Sequence, residues 1–340
     1  MTNLDILLAD ARRVCEKVNL RGLEGAQVLI TGASGLIGTA MLASLAALHE
    51  AGIKTRVMTQ VYSEPSNEMW KLVKLIDGRL IRMNLADARA CGGLSGADII
   101  IHAAGYGQPG LFMADPLTAL RLNTVATDTL LQKLSPKGQL LFTSSTEVYQ
   151  GLDKAELTEN DIGTTDPAHP RACYIEGKRT GETMCHAWRA KGGRAVAARL
   201  AHTYGPGTRK HDQRAMNVFI EKALTTRQIP MRDAGAAVRT YGYIADTAAA
   251  LWNILLSGKE TVYNISGRST TTIRALAEAI AAKTGAKVQL PEVADSVAGA
   301  PKEVRVSVAR YENEFGSLAR TELDEGLERT IAWQRNLYCA

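Results

Sequence analysis

The sequence predicts an α/β fold: a doubly wound parallel sheet with a smaller mixed lobe at the C-terminal end. Up to Arg199, short apolar strand candidates alternate with helix candidates, which is typical of a parallel sheet covered by helices on both faces. After Arg199 the pattern changes to a loop rich in glycine, histidine and charge, followed by shorter helices. With 340 residues, 46% of them apolar and 22% charged, the chain can bury a full core.

The predicted elements follow one another in a regular order. Apolar residues recur at helical spacing within residues 1–24 and predict an amphipathic helix ahead of the main fold. Buried strands are predicted at Gln27 to Thr31, Arg56 to Val61, Leu80 to Met83, Asp98 to Ala103 and Gln139 to Ser144. Helices are predicted at Leu36 to Glu50, Pro116 to Leu134, Asn217 to Thr226, Ile244 to Leu256 and Thr272 to Lys283.

Charge and cysteine content argue against several classes of protein. The net charge is +5, but Lys and Arg are scattered without interleaved aromatic residues, so no nucleic-acid partner is expected. The five cysteines form no CxxC pair and have no histidine at ligand spacing, so we expect reduced thiols and no metal. Residues Met1 to Leu8 contain Asp5 and lack a basic start, which predicts neither a signal peptide nor a membrane span. A soluble, cytoplasmic protein is expected.

A glycine-rich turn, Gly32-Ala33-Ser34-Gly35-Leu36-Ile37-Gly38, joins the first predicted strand to the helix after it. Glycine there permits a tight turn and lets backbone N–H groups approach a pyrophosphate, which the helix N-terminus favours. Taken alone, the motif could also be a plain turn. In this context it predicts a dinucleotide-binding Rossmann domain over residues 25–200, to which residues 239–265 return. Residues 201–340 would then form mainly the substrate-binding lobe.

The end of the second strand bears on the choice of dinucleotide. An acidic residue about 20 residues after the glycines would hold the adenosine ribose of NAD. Gln60 stands there instead, and no arginine follows directly to bind a 2′-phosphate. NAD is therefore the favoured cofactor, and NADP stays open.

Tyr174 and Lys178 are spaced to lie on one face of a helix. Such a pair arises often by chance, so its context matters. A tyrosine with an ordinary pKa of about 10 is a poor base at neutral pH, but a lysine one turn away, beside a positive nicotinamide ring, stabilises its phenolate. The preceding strand delivers Ser145, Thr146 and Glu147 to the sheet edge where ligands bind. A hydroxyl there can share a proton with Tyr174, although Ser and Thr also end strands without any function.

Together these residues resemble the extended short-chain dehydrogenase/reductase family of nucleotide-sugar epimerases, dehydratases and decarboxylases. The resemblance runs from about Gln27 to Asn264. Further matching segments are His102-Ala103-Ala104-Gly105, Leu122-Asn123-Thr124, Ala198-Arg199-Leu200, Thr203-Tyr204-Gly205-Pro206-Gly207 and Arg239-Thr240-Tyr241-Gly242-Tyr243-Ile244-Ala245-Asp246. Within the family, residues 145–149 and 169–179 look most like UDP-glucuronate decarboxylases.

The resemblance implies roles for individual residues. The catalytic residues would be Tyr174, which takes the proton of the sugar C4 hydroxyl, with Lys178, Ser145, Thr146 and Glu147. NAD would contact Gly32, Ser34, Gly35, Leu36, Ile37, Gly38, Gln60, Ala103, Ala104, Gly105, Asn123, Tyr174 and Lys178. The nucleotide-diphosphate sugar would contact Glu176, Arg199, His202, Arg209, Arg239 and Tyr241. A homodimer is also implied, in which the helix from Pro116 to Leu134 and the helix bearing Tyr174 form a four-helix bundle.

Several alternatives stay open. A UDP-glucuronate decarboxylase-like enzyme is the leading hypothesis, and a 4-epimerase, a 4-ketoreductase or a 4,6-dehydratase is the alternative. Thr146-Glu147 in place of an Asp-Glu pair argues against the dehydratase, while His202 stands where family decarboxylases usually carry asparagine. A non-catalytic NAD(P)-binding sensor or scaffold would not need to keep Ser145, Tyr174 and Lys178. A reductase of a non-nucleotide carbonyl fits the charged loop after Tyr204 less well than a diphosphate substrate does.

Overall fold

The computed structural model describes residues 1–291, 305–317 and 320–339. Within these ranges the helices are α1 (Asn3–Lys17), α2 (Leu36–Glu50), α3 (Asn67–Leu75), α4 (Ala88–Gly92), α5 (Pro109–Ala114), α6 (Pro116–Asn123), α7 (Val125–Gln132), α8 (Ala172–Ala190), α9 (Ala215–Thr225), α10 (Ile244–Ser257), α11 (Ile273–Thr284), α12 (Ala309–Phe315) and α13 (Leu323–Tyr338). The strands are β1 (Gln27–Thr31), β2 (Arg56–Val61), β3 (Arg79–Arg82), β4 (Ala97–His102), β5 (Leu134–Ser145), β6 (Arg194–Leu200), β7 (His202–Tyr204), β8 (Gln228–Pro230), β9 (Val238–Tyr243), β10 (Val262–Ile265), β11 (Ser269–Thr272) and β12 (Lys287–Gln289).

The main sheet, as far as the chain is described, has seven strands in the order β3-β2-β1-β4-β5-β6-β10. All neighbouring pairs are parallel. The strand order reverses between β1 and β4, because the chain first moves outward from β1 to β3 and then returns to the other side of β1. Ligands bind beyond the carboxyl ends of the strands at such a reversal. The predicted doubly wound parallel sheet is therefore confirmed.

Burial explains why α2 carries so little charge. Strand β1 is buried from Val28 onward, and α2 packs on it. On its other side α2 is covered by α1, so that most of its residues are buried all round the helix. A helix that is apolar on every face is stable only when it is enclosed in this way.

The single helix predicted from Pro116 to Leu134 is wrong in one respect. Thr124 interrupts it with φ −115° and ψ −75°, so α6 ends before this residue and α7 begins after it. The Thr124 hydroxyl donates to the carbonyl oxygen of Leu120 at 2.8 Å, a local bond that bends helices. In addition, β5 already begins at Leu134, where the helix was expected to end.

The second lobe is built around a small mixed sheet. Strand β9 pairs in parallel with β7 and antiparallel with β11. Strands β8 and β12 form a separate parallel pair. This arrangement matches the smaller mixed lobe predicted from the sequence, and the chain returns to the main sheet with α10 and β10.

Helix α1 lies where the sequence predicts an amphipathic N-terminal helix. Thr2 and Asp5 form a capping box at its start. The helix packs against α2, α10 and α13. Its buried Asp10 accepts hydrogen bonds from the Tyr243 hydroxyl at 2.5 Å and from Arg329 at 2.9 Å. The bond to Tyr243, the last residue of β9, connects α1 to the end of that strand.

Two further findings hold for the described ranges. No helix there is both long and apolar enough to cross a bilayer. Nor do three or more His, Cys, Asp or Glu side chains gather there in a way that could hold a metal ion. The cytoplasmic location stays a prediction.

Candidate active site

The glycine-rich turn lies at the carboxyl end of β1, where the strand order reverses. Gly32 has φ 63°, a left-handed conformation that favours glycine. A Cβ at Gly32 would lie 2.6 Å from the backbone of Ala103 and Ala104, and one at Gly38 would lie 2.4 Å from the Gly32 carbonyl oxygen. Glycine at both positions therefore lets the turn, α2 and the segment after β4 pack closely.

Gln60 lies beside this turn and is buried in β2. Its Oε1 accepts from the Gly32 N–H at 3.0 Å, and its Nε2 donates to the Met83 carbonyl oxygen at 2.7 Å. Both ends of the amide are thus used in holding the turn. Contact between Gln60 and the adenosine ribose stays a prediction.

Helix α8 carries Tyr174 and Lys178 to the same edge of the sheet. The Tyr174 ring stacks on Phe112, with centroids 4.6 Å apart and planes 10° apart. Lys178 Nζ lies 5.5 Å from the centroid of the tyrosine ring and donates to the Thr143 carbonyl oxygen at 2.6 Å. Ser145, at the end of β5, lies close enough to the phenol to lower its pKa. The structure therefore brings three of the predicted catalytic side chains together, with Phe112 as a contact that the sequence did not reveal.

Burial shifts the pKa values of Tyr174 and Lys178 in this arrangement, and the predicted ionisation of Tyr174 beside a nicotinamide ring stays a prediction. Burial, aided by the charge of Glu147, raises the pKa of Tyr174 to about 12, against the opposing effects of Ser145 and the charge of Arg171. Burial also lowers the pKa of Lys178 to about 7, although the charge of Glu182 acts in the opposite direction. The Lys178 amine donates to a backbone carbonyl oxygen, and burial disfavours the charged forms of both side chains.

Asn123 tests whether these residues fit a dinucleotide. Its buried Oδ1 has no hydrogen-bond partner in the described part of the chain, while its Nδ2 donates to the Ala119 carbonyl oxygen at 2.8 Å. A Cβ at Gly105 would lie 3.6 Å from Lys178 Nζ and 3.9 Å from Asn123 Oδ1, so glycine leaves the space beside both atoms open. Buried polar atoms are usually paired. A ribose, with its hydroxyl donors, fits this space, and the residues present therefore fit NAD.

Glu147 is paired with an arginine that sequence reasoning did not assign. Arg171 Nε donates to Glu147 Oε2 at 3.1 Å, and its Nη2 bonds to Oε1, which makes a bidentate pair. The Arg171 guanidinium also lies 5.7 Å from the Phe112 ring centroid, beside the ring that stacks on Tyr174. Thr146 begins the 3₁₀ helix that carries Glu147, and it is half-buried. The one signal for Arg171 was its place one turn before Tyr174.

Three arginines, Arg171, Arg214 and Arg239, lie close enough to His202 for their charges to act on it, and they are called the arginine wall here. Partial loss of water, together with the positive charges of these three side chains, lowers the pKa of His202 to about 4. The imidazole is neutral at neutral pH, although it is exposed to the cleft. Its ring lies 5.7 Å from that of Tyr241. Arg171 and Arg214 also act on the pKa of Tyr174. The phenol and the imidazole therefore lie near the same two arginines, and the space between them is called the cleft.

Residues 28–266 match the sequence profile of the NAD dependent epimerase/dehydratase family. The chain belongs to this family. The predicted family and its NAD cofactor are therefore confirmed. The three proteins described next are at most 30% identical to the chain.

Three similar proteins belong to different reaction types. UDP-glucuronic acid decarboxylase 1 of Danio rerio is 30% identical over 241 residues, which cover 69% of this chain but 57% of that protein. DesIV, a dTDP-glucose 4,6-dehydratase from Streptomyces venezuelae with NAD and TYD bound, has a TM-score of 0.76 at 24% identity and covers 91% of this chain and 97% of its own. UDP-glucose 4-epimerase from Thermotoga maritima has a TM-score of 0.77 at 20% identity and covers 92% and 99%. These two structures share the fold of the chain.

Arg199 was predicted to contact substrate, and the structure of this epimerase/dehydratase family member does not support that role. Its Nε and Nη2 donate to Glu182 at 3.0 and 2.8 Å, and its Nη1 donates to the Tyr149 hydroxyl at 2.8 Å. The Arg199 and Glu182 side chains are 11% and 7% exposed. All three nitrogens are thus used inside the protein. Glu176, a predicted substrate residue on α8, pairs with Arg179 of the same helix at 2.6 Å.

Arg209 is the last of the predicted substrate residues. Its Nε donates to the Ser34 carbonyl oxygen at 2.9 Å, and its Nη2 bonds to the Ser34 hydroxyl. It therefore contacts the glycine-rich turn, which the sequence assigns to the cofactor.

Proposed function

We propose that this protein uses NAD to oxidise a nucleotide-diphosphate sugar at C4, and that its activity is of the UDP-glucuronic acid decarboxylase type. The observation that carries the proposal is the meeting of Tyr174, Lys178 and Ser145 beside the glycine-rich turn, in a cleft shared with the arginine wall. The 30% identity with a protein named UDP-glucuronic acid decarboxylase 1 supports it.

Proton transfer is the task of Tyr174. Burial raises the pKa of the phenol to about 12. Tyr174 therefore needs added positive charge nearby to act as a base. Bound NAD would supply that charge from its oxidised nicotinamide and would accept and return the hydride of C4. Ser145, which acts on the pKa of the phenol, would orient the sugar hydroxyl whose proton Tyr174 takes. With C4 oxidised to a ketone, the carboxylate on C5 lies β to that ketone and would leave as carbon dioxide. The electron pair of the broken bond would pass into an enolate, which takes a proton at C5 before the hydride returns to C4.

The arginine wall favours a substrate that carries several negative charges. Arg171, Arg214 and Arg239 all act on His202 and disfavour its protonated form. The same positive charges favour the diphosphate and the carboxylate of a UDP-uronic acid, although Arg171 and Arg214 are also paired with Glu147 and Asp212.

Product masses test the proposed activity. The NAD-loaded protein should convert UDP-glucuronic acid to a product lighter by one carbon dioxide, and Tyr174→Phe should not. A product of unchanged mass and altered retention, one lighter by water, or one heavier by two hydrogens would replace decarboxylation with epimerisation, dehydration or reduction. Binding of NAD without turnover of any nucleotide sugar would favour a sensor.

We also propose a homodimer formed through α6, α7 and α8, which pack on one another in the chain. Large apolar side chains are exposed on this side of the molecule, with Leu117 62% and Val125 40% accessible. Such exposure at a cluster of helices is typical of an interface. Light scattering should give the mass of a dimer, and Leu117→Glu should give that of a monomer, while Leu75→Glu on α3 should stay dimeric. A monomeric native protein would contradict this proposal.

A further inference from the structure

We infer that Arg209 binds the diphosphate of NAD, and that residues 205–214, here called the strap, hold the cofactor in its cleft between turnovers. The inference rests on the NAD site of the family, not on which sugar is converted. It assigns Arg209, predicted from sequence to contact substrate, to the cofactor.

The contacts of Arg209 place its charge on the glycine-rich turn. The guanidinium bonds to both the carbonyl oxygen and the hydroxyl of Ser34, with Nε 2.9 Å from the carbonyl oxygen. Ser34 precedes Gly35, which caps α2 without any side-chain hydrogen bond. The first N–H groups of α2 and the guanidinium therefore lie together where a pyrophosphate is expected.

Arg209 has no carboxylate partner among the residues that the structure describes, unlike Arg171 and Arg214, which pair with Glu147 and Asp212. Partial burial lowers the pKa of Arg209, with no acidic side chain acting against that change. Arginine nevertheless keeps its charge in proteins. A guanidinium without a carboxylate partner, beside a helix N-terminus, favours a bound anion.

The strap contacts both sides of the cofactor cleft. On one side Gly207 lies on the first turn of α2, where a Cβ would be 3.5 Å from side-chain atoms of Leu36 and Thr39. On the other, the Gln213 N–H donates to Gln108 Oε1 at 3.2 Å, just before α5. Gln108 follows Gly105, the residue that borders Lys178 and Asn123. A dinucleotide that leaves the cleft would have to break some of these contacts.

The strap is also fastened to the C-terminal helix. Trp333 Nε1 donates to the Thr208 carbonyl oxygen at 2.8 Å, and the His211 N–H donates to the Tyr338 hydroxyl at 2.7 Å. Both aromatic residues belong to α13. These bonds fix the strap on either side of Arg209 and hold the guanidinium over the turn. Retention of the cofactor suits a reaction in which the hydride taken from the sugar must later be returned to it.

Dissociation of NAD, measured without sugar, tests the inference. Arg209→Gln should raise both the Kd and the dissociation rate of NAD by about 10- to 100-fold, the range expected for a lost bond to a charged group. ADP-ribose, which has the diphosphate but no nicotinamide, should lose affinity by the same factor. Arg209→Lys should recover part of it. Arg274→Gln is the matched control, because Arg274 pairs with Glu278 on the surface of α11.

The outcomes separate this inference from the proposed function. An unchanged NAD dissociation rate in a folded Arg209→Gln protein would overturn it, with folding checked by thermal melting. A weaker affinity for UDP, with NAD binding unchanged, would also overturn it and return Arg209 to the substrate. Neither result bears on decarboxylation, which is read from the product mass of the native protein.

Discussion

The two sides of the cleft differ in how the protein sets the charge of their side chains. On one side Tyr174 and Lys178 are 8% and 4% exposed, and burial is the main cause of the pKa shift of both. On the other, His202 is exposed to the cleft, and three arginine charges add to the loss of water. The proposed proton-transfer groups are thus held by the main sheet and α8, while the proposed recognition groups come from loops and the smaller sheet. Substitutions should therefore change turnover on the first side and affinity on the second.

The largest effect is expected at Tyr174. Tyr174→Phe should lower kcat by about 100- to 10,000-fold, the usual contribution of a general base, because the ring keeps its stack on Phe112 but loses the hydroxyl. Titration calorimetry should show NAD and UDP binding close to that of the native protein. Tyr204→Phe is the control, since it removes a buried hydroxyl with no partner in the described residues. If Tyr174→Phe turned over normally, Tyr174 would not be the base.

Arg199→Met should affect stability strongly and substrate affinity little. Loss of one partner of the buried pair leaves Glu182 uncompensated and should lower the free energy of unfolding by about 3–5 kcal/mol. Urea denaturation measures this loss. The double variant Arg199→Met/Glu182→Gln should regain part of the stability, because no buried charge is then left unpaired. A stable Arg199→Met protein with weak UDP binding would show that Arg199 belongs to the recognition side after all.

Arg239→Gln should have the opposite signature. The Kd for UDP should rise by about 10- to 100-fold, which corresponds to the roughly 1.5–3 kcal/mol of a hydrogen bond to a charged group. The value of kcat at saturation should change little, because Tyr174 is untouched. Arg12→Gln is a suitable control, since Arg12 pairs with Glu50 on the surface. A fall in kcat at an unchanged Kd for UDP would show that Arg239 acts on turnover and not on affinity, which contradicts the proposed difference between the two sides of the cleft.

Phe112→Leu should give the smallest effect. Aromatic pairs contribute about 0.5–1.5 kcal/mol beyond burial, so loss of the stack on Tyr174 should lower kcat by roughly two- to ten-fold. Phe315→Leu removes a similar pair, with Tyr311 at 5.0 Å, outside the residues that form the cleft. The kcat values of both variants are the test. If Phe112 positions the phenol, only Phe112→Leu should lower kcat; if it merely fills space, the two variants should have the same kcat.

The features that could be predicted from the sequence are those that short local motifs determine. The glycine-rich turn and the Tyr174 helix are short segments whose spacing carries the chemistry, and the strands next to them are apolar throughout. Those segments predicted a candidate site at the carboxyl edge of the sheet, and the structure brings their side chains together at that edge. Phe112 and Arg171 could not be found in this way, because their role arises only when α5 and α8 pack together.

The errors have the same origin. Arg199 was expected to face substrate because nothing in the sequence shows that Glu182 and Tyr149 take its nitrogens. The burial that raises the pKa of Tyr174 was not foreseen either, because it depends on packing, which spacing does not reveal. The interruption at Thr124 depends on a threonine hydroxyl that bonds to the backbone, and threonine also occurs within unbroken helices.

A crystal structure of the Tyr174→Phe protein with NAD and UDP-glucuronic acid tests the central claim most directly. The sugar C4 hydroxyl should lie within hydrogen-bonding reach of Ser145 Oγ, at the edge of the substituted ring where the phenol oxygen had been, with the diphosphate against the arginine wall. A C4 hydroxyl that points away from that ring, toward Glu147 or into solvent, would contradict the assignment of Tyr174 as the base.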